Sequence, residues 1–348
     1  MMTPRSLVPD EARLRRRLAA ALGVEGLAAS GVAVVARSRP RFMSTFPNEI
    51  VTCRLPDGST RRFFMKYEAG RGETAHGHRG GVAYEGEVYR RLLAPLALMG
   101  MTRPDCYAVD LAARERDTWL LLEPVDRARR VKDIPVGRQE ARRPPALVLA
   151  ARWIARFHSA MEAARARGTP DFLRRYDSEY YLGWARRTAE LAGPLHAEFP
   201  WLQEVCDGSA ELFDPLLRST STVIHGEYYT NNILLRDGSI YPVDWEAAAV
   251  APGEIDLAAL TEGKWSPWLT RRCEREYGET RWPGGAPEGF ARRLEAARLY
   301  LHFRWLGERA DWTRRTRSRW RFLEIGKSAR RLHALRRASG ARNGRRVG

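Results

Sequence analysis

Two kinds of hydrophobic pattern follow one another along the chain, and the change falls near residue 125. Residues 32–37 (VAVVAR), 49–55 (EIVTCRL) and 61–67 (RRFFMKY) are short runs rich in β-branched and aromatic residues and predict three strands. Pro56-Asp57-Gly58-Ser59 joins the last two as a turn, because proline presets φ and glycine tolerates a positive one. The three segments therefore predict an antiparallel meander. A loop with two prolines, residues 38–47, separates the first two strands, and a glycine-rich polar loop, residues 68–81, follows the third. Residues 82–99 carry Val88, Leu92 and Leu96 at helical spacing, broken late by Pro95. Residues 106–109 and 118–122 predict two more strands. Glu123-Pro124-Val125 then forms a hinge, since proline ends the strand. Ahead of all this, residues 10–22 predict a short helix.

Past residue 125 the period becomes helical. Leu147, Ala150, Ile154, Phe157 and Met161 share one helix face, residues 180–191 predict another helix, and Leu294, Ala297, Leu301 and Trp305 mark a late amphipathic one. A short β-like island, residues 223–243, is broken by the turn Asp237-Gly238. The expected fold class is α+β and bilobal: an N-terminal antiparallel five-stranded lobe with one helix, then a mainly helical C-terminal lobe. The corresponding domains are a helical extension (1–30), the small lobe (31–123), the large lobe (124–308) and an Arg-rich helix with a basic tail (309–348).

Composition narrows the function classes. The 348 residues carry a formal charge of +17. Residues 309–348 hold 14 Arg or Lys against Asp311 and Glu324, which places +12 of that excess in the tail. The bulk of the chain is only mildly basic, so nucleic acid is not the expected partner. The expected reading of the tail is a solvated helix face followed by a disordered end. Cys53, Cys106, Cys206 and Cys273 are far apart and show neither metal-ligand nor disulfide spacing. No apolar run is long enough to span a membrane, and residues 1–17 lack a signal-peptide core, so a cytoplasmic protein is expected.

The chemistry concentrates in residues 222–260, TVIHGEYYTNNILLRDGSIYPVDWEAAAVAPGEIDLAAL. Phosphoryl transfer from ATP needs a carboxylate near the attacking hydroxyl, oxygen ligands for Mg²⁺, and a cation on the phosphates. Protein kinases supply the first two with a His-Arg-Asp loop, an Asn five residues after the Asp, and a later Asp. Here His225-Gly226-Glu227 is followed by Asn232, and Asp244 stands in Val243-Asp244-Trp245-Glu246.

The segment resembles the aminoglycoside phosphotransferase and choline kinase-like family, which carries a His-Gly-Asp loop, an Asn at the same spacing and a (Val/Ile)-Asp-Trp segment. Gly253-Glu254-Ile255-Asp256-Leu257-Ala258 is similar to that family as well. The likeness covers residues 30–305 and implies a protein-kinase-like small-molecule phosphotransferase using ATP, or alternatively GTP, with Mg²⁺. It implies Asn232 and Asp244 as metal ligands, with Asn231 as a register-shifted alternative. Glu227 stands in the catalytic-base position, His225 supports the loop, and Asp256 braces it. Lys66, on the third strand, is the expected phosphate cation, notable in a chain with only four lysines. Its partner is Glu85, with Glu87 as rival. Ser44 and Thr45 are candidates to meet the phosphates, and main-chain groups at Glu123 to Val125 to meet the base.

Glu227 departs from the family's Asp, and one added methylene moves the carboxylate by about 1.5 Å. Two readings follow: a loop rebuilt around a glutamate base, or a nucleotide-binding pseudokinase. A third class is a nucleic-acid or anionic-surface binder acting through the Arg-rich tail. The acceptor, a small molecule bearing a hydroxyl (an antibiotic, a sugar or amino sugar, or another metabolite alcohol), is expected along residues 171–184 and 261–268 and around Trp305. Tyr180, Tyr181, Trp184, Trp265 and Trp268 could stack on it, and Asp171, Asp177, Glu179 and Glu262 could supply charge. Oligomeric state is not legible in the sequence.

Overall fold

In a computed structural model the described residues are 8–23, 31–42, 44–68, 75–110, 117–135, 144–165, 168 and 170–344. The meander forms as the turn chemistry predicts. Helix α1 (Glu11–Ala21) precedes β1 (Ala33–Ser38), β2 (Asn48–Arg54) and β3 (Thr60–Tyr67). After helix α2 (Gly81–Val88) come β4 (Cys106–Asp110) and β5 (Trp119–Leu122). The sheet order is β1-β2-β3-β5-β4, antiparallel throughout. The single helix expected over 82–99 is three pieces: α2, a π turn Tyr89–Leu93, and a 3₁₀ turn Ala94–Met99. Pro95 cannot donate to the turn before it, and left-handed Gly100 (φ 65°) ends the run. Gly86 lets α2 lie against β4, because a Cβ there would fall 2.6 Å from Val109 Cγ1.

One face of this sheet is a continuous core. Val51, Cys53, Phe63, Met65, Trp119 and Leu121 pack with Leu14, Leu18 and Ala19 of α1. Asp10 caps α1 by accepting from the Arg13 amide at 2.7 Å. Arg17 lies 3.9 Å above the Trp119 ring and pairs with Asp110. The segment expected as an extension thus supplies a layer of the sheet's core.

The chain divides into two units. Asn231–Ala247 joins Met1–Pro135 in the first. There β6 (Arg129–Arg130), β9 (Ile233–Arg236) and β10 (Ser239–Pro242) make a second, three-stranded sheet in the order β10-β9-β6. The turn Asp237-Gly238 closes its hairpin, both residues at positive φ (51° and 79°).

The second unit, Val136–Thr230 with Ala248–Gly348, is helical. It comprises α3 (Ala146–Arg165), α4 (Ser178–Ala192), α5 (Leu202–Asp207), α6 (Ser209–Leu217), α7 (Glu254–Thr261), α8 (Pro267–Arg281), α9 (Phe290–Glu308), α10 (Ala310–Thr313) and α11 (Arg319–Gly344). Strands β7 (Arg174–Arg175), β8 (Thr222–Ile224) and β11 (Ala249–Ala251) form a small sheet with β11 in the middle. Helix α9 packs on α4, α7 and α11, and α3 packs on α8. Within the Arg-rich segment, Phe322, Ile325, Ala329 and Leu332 are buried at helical spacing, so α11 is amphipathic and docks on α9. No described helix is long and apolar enough to cross a membrane.

Since α1 completes the core of the five-stranded sheet, Leu18→Ala is expected to cost about 2–5 kcal/mol through transfer and cavity terms. Urea unfolding of the variant beside the parent measures this; a loss below about 0.5 kcal/mol would show α1 to be dispensable to that core.

Candidate functional site

In the first unit, Lys66 sits near the end of β3, paired across the sheet with Asn48 and Leu120. Its side chain is buried, and its ammonium lies 2.5 Å from both Glu85 Oε2 and Asp244 Oδ1. Glu85, on α2, also accepts the Trp245 amide at 3.1 Å. Glu87 is placed elsewhere, pairing with Arg90 and Arg91 of the π turn that follows α2.

The β9–β10 hairpin sets the other half of this constellation. Pro242 pairs with Ile233, and one step further the Val243 amide donates to Asn232 O at 2.9 Å. Asn232 and Asp244 are therefore brought side by side by register. Asp244 adopts φ 70°, the left-handed region, which is uncommon for a residue with a Cβ and typical of a functionally constrained position.

Electrostatics here are lopsided. Burial opposes the Lys66 ammonium, but Asp244, Glu85 and Glu246 more than offset it and raise its pKa. Burial raises Glu85 despite Lys66 beside it. Burial and the Asp244 charge push Glu246 up to about 8, against Lys66 and Arg79. The upward shifts of Glu85 and Glu246 show carboxylates crowded against Asp244 beyond what Lys66 and Arg79 offset, and a further cation would relieve that crowding. Asn232 and Asp244 offer the hard oxygen donors that suit Mg²⁺. Among the described residues, no cluster of three His, Cys, Asp or Glu could hold a metal by itself.

These groups open onto one cavity of about 270 Å³ within the first unit. Ile50, Leu122, Leu234 and Val243 give it apolar walls, and Glu123, Pro124 and Val125 line one edge. Val125 makes no backbone hydrogen bond to another described residue, leaving its N–H and C=O for a ligand. Lys66, Glu85, Asn231, Asn232 and Asp244 line the cavity too. Ser44 lines it, whereas Thr45 does not: its hydroxyl faces Glu246 Oε1 at 3.4 Å. The arginines of the loop were not among the residues expected at the site from sequence. Arg39 and Arg41 border the cavity, and Arg130 stacks at 4.6 Å on Phe42.

The second unit holds the His225 loop. Strand β8 pairs with β11 (Ile224 with Ala249) and delivers His225 and Gly226 over the first turn of α7. There Asp256 accepts the His225 amide at 2.6 Å and the Gly226 amide at 2.9 Å. Gly226 has φ 81°, which lets both amides point at one carboxylate. His158 Nε2 lies 3.1 Å from Asp256, and its Nδ1 lies 2.9 Å from Tyr277 OH. Burial lowers the His158 pKa although Asp256 opposes that, so this contact is a neutral hydrogen bond. Gly253 admits the cluster, since a Cβ would fall 2.5 Å from His158 Nδ1 and 2.7 Å from Tyr277 OH.

His225 Nδ1 accepts the Glu227 amide at 3.3 Å, which puts the imidazole proton on Nε2. Glu227 is 5% exposed, and its Oε1 lies 3.4 Å from Arg304 Nη1. Arg304, on α9, was not singled out by the sequence reading; an arginine inside LYLHFRWLG, with an acid four residues on, was the available signal. Tyr180, Tyr181 and Trp184 do not face a site: they are buried core, Tyr180 stacking on Tyr176 at 3.8 Å. Trp268 is 55% exposed, beneath Arg272 at 5.3 Å. Trp265 donates to Glu262 O at 3.1 Å, and Glu262 pairs with Arg321 at 2.5 Å.

His302, near that pair, is pushed down to about 3 by burial and by Arg321 and Arg298. The unfolded chain binds a proton near pH 6.5 that the folded one refuses, so stability falls as pH drops below that value. At pH 5 the loss from this group is about 2 kcal/mol. His302→Gln is expected to reduce the difference in unfolding free energy between pH 7 and pH 5 by that order; an unchanged difference would show that His302 is protonated in the folded protein.

Comparison with known proteins fits this geometry. Residues 57–287 match the phosphotransferase enzyme family. Among curated proteins none matches the chain significantly in sequence. Several solved structures share its fold. An aminoglycoside phosphotransferase from Alicyclobacillus acidocaldarius is 18% identical, with 90% of this chain and 92% of that one covered and a TM-score of 0.56. An AMP-bound spectinomycin phosphotransferase is 14% identical, with 92% and 95% covered and a TM-score of 0.55. A choline kinase from Cryptosporidium parvum is 13% identical, with 94% and 97% covered and a TM-score of 0.54. The fold is thus the bilobal kinase-like α+β fold, and the chain belongs to the phosphotransferase enzyme family.

Proposed function

We propose that the chain transfers the γ-phosphoryl group of ATP to a hydroxyl of a small molecule, with Glu227 as base. The observation that carries this reading is the convergence of Lys66, Asn232 and Asp244 on one cavity whose other walls are apolar. The purine fits between Ile50, Leu122 and Leu234, with its edge toward Val125. The AMP held by the spectinomycin phosphotransferase of the same fold supports a purine nucleotide. Lys66 is a compact point charge for the phosphates, kept protonated by its carboxylate partners. Asn232 and Asp244 hold the metal. Mg²⁺, when bound, neutralises charge developing on the phosphate oxygens.

In the transfer step the acceptor oxygen attacks the γ-phosphorus, and the bond from phosphorus to the ADP oxygen breaks. The hydroxyl proton passes to the Glu227 carboxylate, leaving a phosphate ester and ADP. Asp256 fixes the loop that presents Glu227 by taking two of its amides. A second reading, nucleotide binding with little transfer, is favoured by the burial of Glu227 and its ion pair with Arg304.

Two measurements separate these readings. At about 100 times the dissociation constant, Mg·ATP is expected to stabilise the protein by about 2.7 kcal/mol, visible as a thermal shift. Asp244→Ala is expected to lose the metal-dependent part. No shift with ATP or GTP in the folded parent overturns the nucleotide site. Glu227→Gln is expected to lower phosphoryl transfer about 10²- to 10⁴-fold with nucleotide binding retained; unchanged transfer would remove Glu227 from the base role.

A further inference from the structure

We propose that Arg304 is the positioning residue that makes a glutamate workable as the base: it keeps Glu227 ionised inside the protein and fixes where its carboxylate stands. The proposal rests on the reading of Glu227 given above. Arg304 is fully buried on α9. Its Nη1 lies 3.1 Å from Glu308 Oε2, one turn further along the same helix, and 3.4 Å from Glu227 Oε1. Its Nη2 donates to Tyr229 OH at 3.2 Å, and the neighbouring Trp305 Nε1 donates to the same oxygen at 3.0 Å. The Tyr229 amide in turn donates to Glu227 O at 2.7 Å. Two neighbouring residues of one helix, Arg304 and Trp305, thus grip the loop at residues 227 and 229, and Glu308 holds Arg304 from one turn further on.

The distances assign different roles to the two acids. A charge-assisted N–H···O bond runs about 2.7–2.9 Å. Glu308 lies nearer that range and anchors the guanidinium, whereas Glu227 at 3.4 Å is held by charge rather than captured. A carboxylate this buried with no cation beside it would take up a proton at neutral pH. A guanidinium cannot itself release a proton to neutralise the pair. The charged and titratable groups around Glu227 on these elements are Arg304 and Glu308 from α9, and His225 and Tyr229 from its own loop. Arg304 supplies a permanent cation among these described groups. The longer side chain of glutamate reaches toward this fixed charge, so the added methylene is matched by a partner that holds its end.

The test uses the full chain and needs no acceptor. Infrared difference spectra of each protein against its Glu227→Gln counterpart report the state of the Glu227 carboxyl at pH 7. The parent and Arg304→Lys are expected to show a carboxylate band, and Arg304→Met a protonated carbonyl band. In parallel, Mg·ATP turnover with water as acceptor is expected to fall about 100-fold in kcat in Arg304→Met, the scale for a misplaced group. KM for ATP is expected to stay within about twofold, and added guanidinium to restore part of kcat. A carboxylate band retained in Arg304→Met, or kcat unchanged while the group is protonated, overturns the proposal. If Arg304→Met does not fold, Arg304→Gln, with a polar isostere for the buried site, carries the same comparison. Turnover unaffected by Glu227→Gln itself overturns the base reading instead, and the infrared result separates that failure from this one.

Discussion

A single buried ammonium holds the first unit's site together. Lys66 bridges Glu85 on α2 and Asp244 on the β9–β10 hairpin, so one residue of the meander ties two elements far away in sequence to the five-stranded sheet. Removing any member of a buried ionic set leaves an uncompensated charge, a cost of about 3–5 kcal/mol. The cost constrains everything around it: α2 must sit close on β4, which Gly86 permits, and Asp244 must accept a left-handed backbone. The crowding of Glu85, Asp244 and Glu246 around Lys66 is what a bound cation would relieve.

The second unit solves a different problem, that of holding a turn rigid without an ion pair. Asp256 spends both carboxylate oxygens on the amides of His225 and Gly226. Its remaining contact is a neutral His158, itself fixed by Tyr277. Gly226 and Gly253 are where the arrangement would fail sterically, the first through its backbone angle and the second through the space a Cβ would take. The invariable demand of the turn is thus met by main-chain amides and close approach, with charge reserved for Glu227.

Much of this was legible in the sequence because it is local. The meander follows from period-two runs and a Pro-Asp-Gly turn, and the spacing from His225 to Asn232 to Asp244 survives as a loop, a strand and a hairpin. What was not legible depends on contacts between distant segments. Nothing in residues 10–22 says that Leu14 and Leu18 will close the core of a sheet. Tyr180, Tyr181 and Trp184 read equally well as a stacking surface or as core, because an aromatic stripe has the same period in both. Thr45 shares a loop with Ser44, yet its side chain turns to Glu246, a residue 201 positions away. Arg304 was hidden by its type, since in a chain this rich in arginine one more at helical spacing carries no signal.

That abundance also bears on how a glutamate came to occupy the loop. An aspartate carries its charge close to the backbone, where loop amides can support it. A glutamate carries it farther out, and its end must be held by something that is not the loop. Helix α9 passes Arg304 at that radius and restrains it from the opposite side with Glu308, one helical turn away at 3.1 Å. The guanidinium is then shared between two carboxylates, which leaves one net negative charge among the three groups. In the proposed base role, Arg304 keeps the Glu227 carboxylate ionised and Glu308 holds the guanidinium in place. Under the proposed reading, the glutamate at residue 227 and the buried arginine at residue 304 act as one feature distributed over two elements.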